Sequence, residues 1–399
     1  MILGAGIYQV PLIKKAGELG YRVIVCSTPG NYPGFLLADK VYYTDTTDKE
    51  GCLKIAIKEK IKAVCTSGTD VAIPTLGYIV DSLSLRGPSE SSSVSASNKL
   101  LMKEAFAKYG VSTATFTVAE NVGSCIKAVD EIGLPCVIKI VDGSGSRGVE
   151  IVYSVADVND AYARVIPYTH KPYVIVEKYL QGVEMGAQAL VYDGKLLFVM
   201  THSDEIHMGN TGVPVGHSVP FHENPYDEVN EKVRVEIEKA VRALGIDNSA
   251  INADIMIINN KPYVLEIGAR CGATCLAELV GIYYGLDYYE VLIKTATGTL
   301  NPDIFAKCKK GQPATALLVT SDKNGIFDGH RPNISHPNLV DYSLDCKSGE
   351  HIRRFLIGPD RIGQIIVKGN SVKETKKIGY QLLDQIKNEL MSHIIDVPV

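Results

Sequence analysis

The 399-residue sequence predicts an α/β and α+β protein: a parallel α/β unit first, a mixed middle, and a small α+β unit at the end. Three observations predict this. Apolar strand-like runs alternate with helical ones over the first 90 or so residues, the pattern of a parallel sheet. Further along, pairs of apolar runs are joined by Asp193-Gly194 and Asn259-Asn260, which are hairpin turns. The length is too great for one hydrophobic core, so two or three domains are expected.

The elements follow in order. Ile2-Leu3 is a short apolar strand ending in Gly4-Ala5-Gly6, and a helix from about Val10 to Leu19 closes at Gly20. "YRVIVCS" is the next strand, a helix covers Glu50 to Lys60, and "KAVCTSGTD" at Lys62 to Asp70 reads as another strand. This is a Rossmann-like unit. Its Gly4-x-Gly6 lacks the third glycine of a dinucleotide fingerprint, because Gln9 stands there, and a tight strand-to-helix turn is the competing reading. The serine patch "SESSSVSAS", Ser89 to Ser97, marks a boundary. After it, "NKLLMKEAFAKYGV" is a helix capped by Ser97 or Asn98 and stopped at Gly110. "CVIKIVDGSGSRGVEIV" is a hairpin with a long glycine-rich tip, and "KPYVIVEKYL" is a strand running into a connector. "EMGAQALVYDGKLLFVMTHS" and "ADIMIINNKPYVLEIGAR" are strand pairs, with helices at about 228–244 and 274–285 between them. Strands near 314–320 and 362–368 and a helix from about Ser371 to Glu389 complete the chain.

Composition narrows the function. The 41 basic and 45 acidic residues give a net charge of −4 with no strong charge block, which argues against bulk nucleic-acid or anionic-membrane binding. No apolar run is long enough to span a membrane. "MILGAG" reads as strand and turn, not as a signal peptide. The nine cysteines are scattered singly without a CxxC pair, as expected of free thiols in a reducing cytosol.

Two features carry chemistry. The first is the hairpin tip, Gly143, Ser144, Gly145, Ser146, Arg147 and Gly148, following Lys139 on the entering strand. Backbone N–H groups in a loop of small residues converge on phosphate oxygens, and Lys139 and Arg147 add cationic donors. A flexible loop beside a lysine that reaches solvent is the alternative. The loop is not a Walker A, since no GK[ST] closes it. The second feature is Asp254 and Glu266, each in an apolar run on adjacent strands. Counting alternate residues places Asp254, Met256 and Ile258 on one face, and Glu266, Val264 and Pro262 on one face of the partner strand, so a hairpin brings the carboxylates together. Like charges this close repel by several kcal/mol at an effective dielectric of about 20. A divalent cation reverses the sign, and oxygen-only ligands suit Mg²⁺ rather than zinc. Two strand-end surface acids are the alternative.

"NK…MK", "VIK…GSGSRGV", "VEKYLQGVE", "GHSVP" and "LEIGAR" occur in an order and spacing that resembles the ATP-grasp ligases. The resemblance is to the carboxylate–amine ligase branch, which includes biotin carboxylase, the purine-pathway enzymes and the L-amino acid ligases, and it covers nearly the whole chain. It implies a Rossmann-like pre-domain over residues 1–95, an ATP-grasp domain over 96–300 with a lid subdomain at about 113–178, and a C-terminal α+β domain over 301–399. It implies that Lys99 and Lys139 contact ATP phosphates and that 143–148 covers them. Glu177, Lys178, Tyr179 and Leu180 would hold adenine, and Glu184 the ribose. Asp254 and Glu266 would bind Mg²⁺ (or Mn²⁺ in its place), Arg270 would stabilise the transferring phosphate or acyl-phosphate, and His217 would contact substrate. His202 and His207 have surface positions as the competing reading, and Cys271 reads as a packing residue. Two departures from the family stand out. Gly268 replaces a common asparagine two residues after the second metal acid, and the first metal acid is aspartate where glutamate is commoner.

The expected activity is an ADP-forming ligase that activates a small carboxylate, an amino acid by its signatures, and joins it to an amine. A purine-pathway carboxylase or formyl-transferring enzyme on a ribonucleotide is the alternative. An NAD-dependent oxidoreductase would give the Lys139 loop and the acid pair no role, and a nucleotide sensor without activity would not need Glu266 and Arg270. The reading expects small-molecule partners, a carboxylate and an amine, leaves a homodimer open, and places the enzyme in the cytoplasm.

Overall fold

The structure is a computed structural model that describes residues 1–143, 148–206, 213–224, 227–308 and 311–396. The first unit holds β1 (Ile2–Leu3), α1 (Val10–Glu18), β2 (Ile24–Ser27), β3 (Lys40–Tyr43), α2 (Lys49–Glu59) and α3 (Ile73–Leu83). Its three strands pair in parallel in the order β1-β2-β3. The expected strand at 62–70 reduces to one bridge between Ile2 and Cys65; from Thr66 the backbone leaves the sheet as a loop. The Gly4–Gly6 turn is filled from within. Gln9, 6% exposed, accepts the Gly6 N–H at 2.9 Å and donates to the Ser67 carbonyl at 2.5 Å. A side chain thus stands where a third glycine would admit a pyrophosphate, which favours the turn reading.

The serine patch is not a linker. It forms α4 (Glu90–Ala96), capped by Ser89, whose hydroxyl accepts from Ser92 N, with Ser93 fully buried. Next comes α5 (Lys99–Tyr109), capped by Asn98, whose Oδ1 accepts from Leu100 N and Leu101 N, and ended by Gly110 at φ +67°. Its inward stripe is Lys99, Met102, Lys103 and Phe106. Burial of Met102 and Phe106 contributes about 1.5–3 kcal/mol each, and the same stripe points two lysines inward.

The hairpin subdomain holds β4 (Phe116–Ala119), α6 (Val122–Ile132), β5 (Cys136–Lys139), β6 (Val149–Val152), α7 (Val158–Val165) and β7 (Val174–Lys178). Its four-stranded sheet runs β4-β7-β5-β6 over its own core of Val129, Ile138, Val158, Val176 and their neighbours. The tip residues Ser144, Gly145, Ser146 and Arg147 lie outside the described residues.

The remaining strands form one large sheet. They are β8 (Val183–Tyr192), β9 (Lys195–Ile206), β10 (Pro214–Val219), β11 (Ser249–Ile258), β12 (Lys261–Gly268), β13 (Ala314–Val319), β15 (Leu339–Leu344) and β17 (Gly363–Lys368), in the order β12-β11-β8-β9-β10-β13-β17-β15. The sheet crosses the expected boundary at residue 300, so the C-terminal unit shares it with the central one. Small strands β14 (Gly325–Phe327), β16 (His351–Ile352) and β18 (Ile394–Ile395) pair apart from it. Helices α8 (Glu228–Leu244), α9 (Leu276–Tyr284), α10 (Tyr288–Thr297) and α11 (Val372–Leu390) pack on the sheets. Asn259 and Asn260 take the left-handed turn conformation that joins β11 to β12, and Asp193-Gly194 does the same between β8 and β9. All nine cysteines are free, and among the described residues no helix is long and apolar enough to cross a membrane.

Candidate active site

A cleft of about 540 Å³ opens between the hairpin subdomain, the large sheet and the first unit. It is lined by Lys99, Lys139, Gly143, Glu177, Lys178, Tyr179, Leu180, Glu184, His202, His217, Asp254, Glu266 and Arg270. Every described residue of the sequence-expected site except Gly148 is therefore at one place. Gly148, at φ +65°, turns the chain back over the Ile140 side chain, which a Cβ would meet at 2.9 Å. His207 lies outside the described residues.

One wall is cationic. Lys139 ends β5, and its Nζ lies 3.0 Å from Glu177 Oε1 on β7. Lys103, the last residue of the "NK…MK" motif but given no role by the sequence reading, has no exposed surface; its Nζ lies 3.3 Å from Glu177 Oε2 and 2.5 Å from Thr113 Oγ1. Burial works to raise the Glu177 carboxyl, and the two ammonium groups outweigh it and hold it below the ordinary range. Burial lowers Lys103 to about 8 against the pull of Glu177. The Glu177 side chain is thus engaged by both lysines at the edge of the cleft. The signal for Lys103 was present, since it stands one helical turn from Lys99 on the stripe of Met102 and Phe106. Lys99 donates to the Gly143 carbonyl at 2.7 Å and to Glu266 Oε1 at 3.0 Å. The Lys178 ammonium is taken up by the carbonyls of Gly133 and Leu134.

The opposite wall carries the acids. Asp254 and Glu266 sit directly across β11 and β12 from each other, but not by simple alternation. The register shifts between Asp254 and Ile255, with Leu265 as the extra residue. Val264 is fully buried on the far face, whereas Leu265 and Glu266 both line the cleft. The expected in-phase set of Glu266, Val264 and Pro262 is corrected by this bulge, which turns Glu266 back towards Asp254. Burial first, then the Glu266, Asp204 and Glu184 charges, push Asp254 up to about 7. A paired, oxygen-only, mutually repelling donor set of this kind fits a divalent cation of the Mg²⁺ type.

Arg270 reaches across to the first unit. Its Nε and Nη2 donate to the two Asp70 oxygens at 2.7 Å each. Burial works to lower the guanidinium, and Asp70 outweighs it and raises it. Asp70 also explains Gly268: a Cβ there would stand 3.0 Å from Asp70 Oδ1, so the space for an asparagine side chain is taken. Sequence reading missed Asp70 because its partner is 200 residues away. Cys271 is 1% exposed, and burial pushes its thiol up to about 12, as suits a packing residue.

The third wall is β9 and β10. His202 and His217 both face Asp204, another residue sequence reading missed, at 2.8 and 2.7 Å. His202 is 2% exposed, so its surface reading is corrected. Its one signal was alternation, because His202 and Asp204 are two apart on one strand face. Burial, with the Asp204 charge, raises Glu184 at the rim of the same wall.

Comparison with known proteins agrees with this geometry. The phosphoribosylglycinamide synthetase ATP-grasp (A) domain family matches residues 97–274. A crystal structure of phosphoribosylglycinamide synthetase from Anaerococcus prevotii is 32% identical, with a TM-score of 0.82 over 100% of this chain and 98% of that one. A formate-dependent phosphoribosylglycinamide formyltransferase from Sulfurisphaera tokodaii is 23% identical over 397 residues, covering 94% of this chain and 93% of the relative. An L-amino acid ligase from Bacillus licheniformis shares the fold at 18% identity and a TM-score of 0.77, over 96% of each chain. The paired acids, the cleft lysines and these matches make the chain a member of the ATP-grasp family, a carboxylate–amine ligase.

Proposed function

We propose that the cleft binds Mg·ATP, transfers the γ-phosphoryl group to a small carboxylate, and lets an amine displace phosphate from the acyl-phosphate. The observation that carries this reading is the convergence of Lys99, Arg270, Asp254 and Glu266 in one cleft. A carboxylate is a poor electrophile until its oxygen becomes a good leaving group. Phosphoryl transfer needs positioning and charge neutralisation rather than a protein nucleophile. In this reading Lys99 and Lys139 hold phosphate oxygens. The backbone of 177–180, with Tyr179 and Leu180, receives adenine, and Glu184 the ribose. Asp254 and Glu266 hold the cation, which supplies charge neutralisation at the phosphates. Arg270, fixed by Asp70, faces the transferring group.

An amino acid as the carboxylate is supported by the fold shared with the L-amino acid ligase and by the "GHSVP" segment, which brings His217 to the cleft. A second reading has the 32% identical phosphoribosylglycinamide synthetase and a phosphoribosylamine–glycine ligase, 23% identical over 98% of this chain, in its favour: glycine as the acid and phosphoribosylamine as the amine. The two readings share their first half. Mg·ATP with a panel of amino acids and small acids, trapped by hydroxylamine, should yield acid-dependent hydroxamate. Phosphoribosylamine supplied to the accepted acid then separates the readings. Nucleotide turnover independent of every acid would refute both.

A further inference from the structure

The two buried histidines of the cleft share one carboxylate oxygen. His202 Nδ1 and His217 Nδ1 lie 2.8 and 2.7 Å from Asp204 Oδ1, with the rings edge-on at 83°. At those distances both nitrogens donate to the oxygen, which fixes the tautomer: Nδ1 carries the proton and Nε2 the lone pair. Ligand atoms around a tetrahedral zinc would stand further apart, at about 3.3 Å. The two Nε2 atoms differ in their surroundings. That of His202 lies 3.3 Å from the Gln188 amide nitrogen, and the Gln188 oxygen is itself pinned by the Gly272 N–H at 2.8 Å. That of His217 has no hydrogen-bond partner among the described residues, and His217 lines the cleft with Glu184, Asp254 and Arg270.

We propose that His217 is the general base of the amide-forming half-reaction, with Asp204 as its positioning residue and His202 as the second anchor of Asp204. The proposal rests on the acyl-phosphate reading above. The amine nitrogen uses its lone pair to bond the acyl carbon and gives its proton to His217 Nε2. The carbon–oxygen bond to phosphate breaks, and phosphate leaves with the electron pair. The imidazolium so formed lies against the Asp204 carboxylate, the arrangement by which a carboxylate orients and stabilises a histidine base. Asp204 stays ionised: burial works to raise its carboxyl, and the two rings outweigh burial and hold it far below the usual range. Glu184 on β8 and Asp254 on β11 feel the Asp204 charge, and Arg270 lines the same cleft. The β13 strand beside His217 has no titratable side chain over Ala314–Val319, and the neighbouring Glu205 is tied to Lys376 and Tyr380.

The test uses the full chain, the acid it accepts, and two kinds of nucleophile. These are hydroxylamine, which is neutral and reactive at neutral pH without a base, and the best amine among ammonia, glycinamide and the amino acids. His217→Gln, confirmed folded by its melting curve, should slow amide formation far more than hydroxamate formation. It should lose about 10²- to 10⁴-fold in amide formation, in kcat rather than in the KM for the acid, and the loss should shrink as pH rises and free amine accumulates. Asp204→Asn should lose less and shift the same pH profile. Equal slowing of hydroxamate and amide, unchanged amide formation, or stoichiometric zinc bound by the wild type and lost in His217→Gln would each overturn the proposal. A wild type that makes no hydroxamate with any acid would instead remove the acyl-phosphate reading on which the proposal stands.

Discussion

Glu177 is held by two lysines that carry different loads. Lys139 borders the cleft, whereas Lys103 has no exposed surface. Lys139→Met leaves Glu177 paired with Lys103, so the fold should stand while Mg·ATP binding weakens by about 1.5–3 kcal/mol, read by calorimetry. Lys103→Met leaves a buried carboxylate half-compensated and should cost about 3 kcal/mol of stability, read as a lower urea midpoint. Equal stability losses from the two would contradict this division. Asp254 makes a pH prediction. Its value of about 7 in the folded protein lies above that of an unfolded aspartate. Between about pH 4 and 7 the folded state therefore keeps a proton that the unfolded chain has lost. Stability of the metal-free protein should fall as pH rises through that window, and Asp254→Asn should flatten the fall. Mg²⁺ affinity should rise with pH over the same range, because the cation displaces that proton. Melting curves of wild type and variant that respond identically to pH would count against it. At this scale the sequence was informative wherever a charge interrupted an apolar run, as at Lys139, Asp254 and Glu266. Asp70 and Asp204 gave no such sign, because their meaning comes from partners on other elements.

Elements place these residues through caps and irregularities. Helix α5 begins at the Asn98 cap, and Lys99, its first residue, bonds the Val141 carbonyl through its backbone N–H at 2.8 Å. Asn98→Ala should cost about 1 kcal/mol, and Asn98→Ser should recover most of it, measured by chemical denaturation. A destabilisation shared equally by both variants would mean that the cap is not the source. The helix and its cap were legible from the capping residues and Gly110. The bulge at Leu265 was not, because strict alternation is the only phase a strand pattern offers. The pairing of Asp254 with Glu266 was anticipated, while its geometry follows from one extra residue. Helix α4 was hidden by serine, a residue of turns and caps as much as of helices, and it is stabilised by the Ser89 cap and by burial of Ser93.

Across the whole molecule, the cleft exists because three parts of the chain meet. The hairpin subdomain brings Lys139 and Glu177, the large sheet brings the acids and histidines, and the first unit brings Asp70 to Arg270. The order of these parts was readable from motifs spread along the chain. The continuity of the sheet through β10 and β13 was not, since pairing between distant strands leaves no local trace in either. The central claim is that this meeting place transfers the terminal phosphoryl group of ATP to a carboxylate. The most direct measurement is the identity of the nucleotide product, read by phosphorus NMR after turnover with Mg·ATP, the accepted acid and a nucleophile. The account predicts ADP and inorganic phosphate in equal amounts, formed only when acid and nucleophile are both present at full rate. Formation of AMP and pyrophosphate would contradict it.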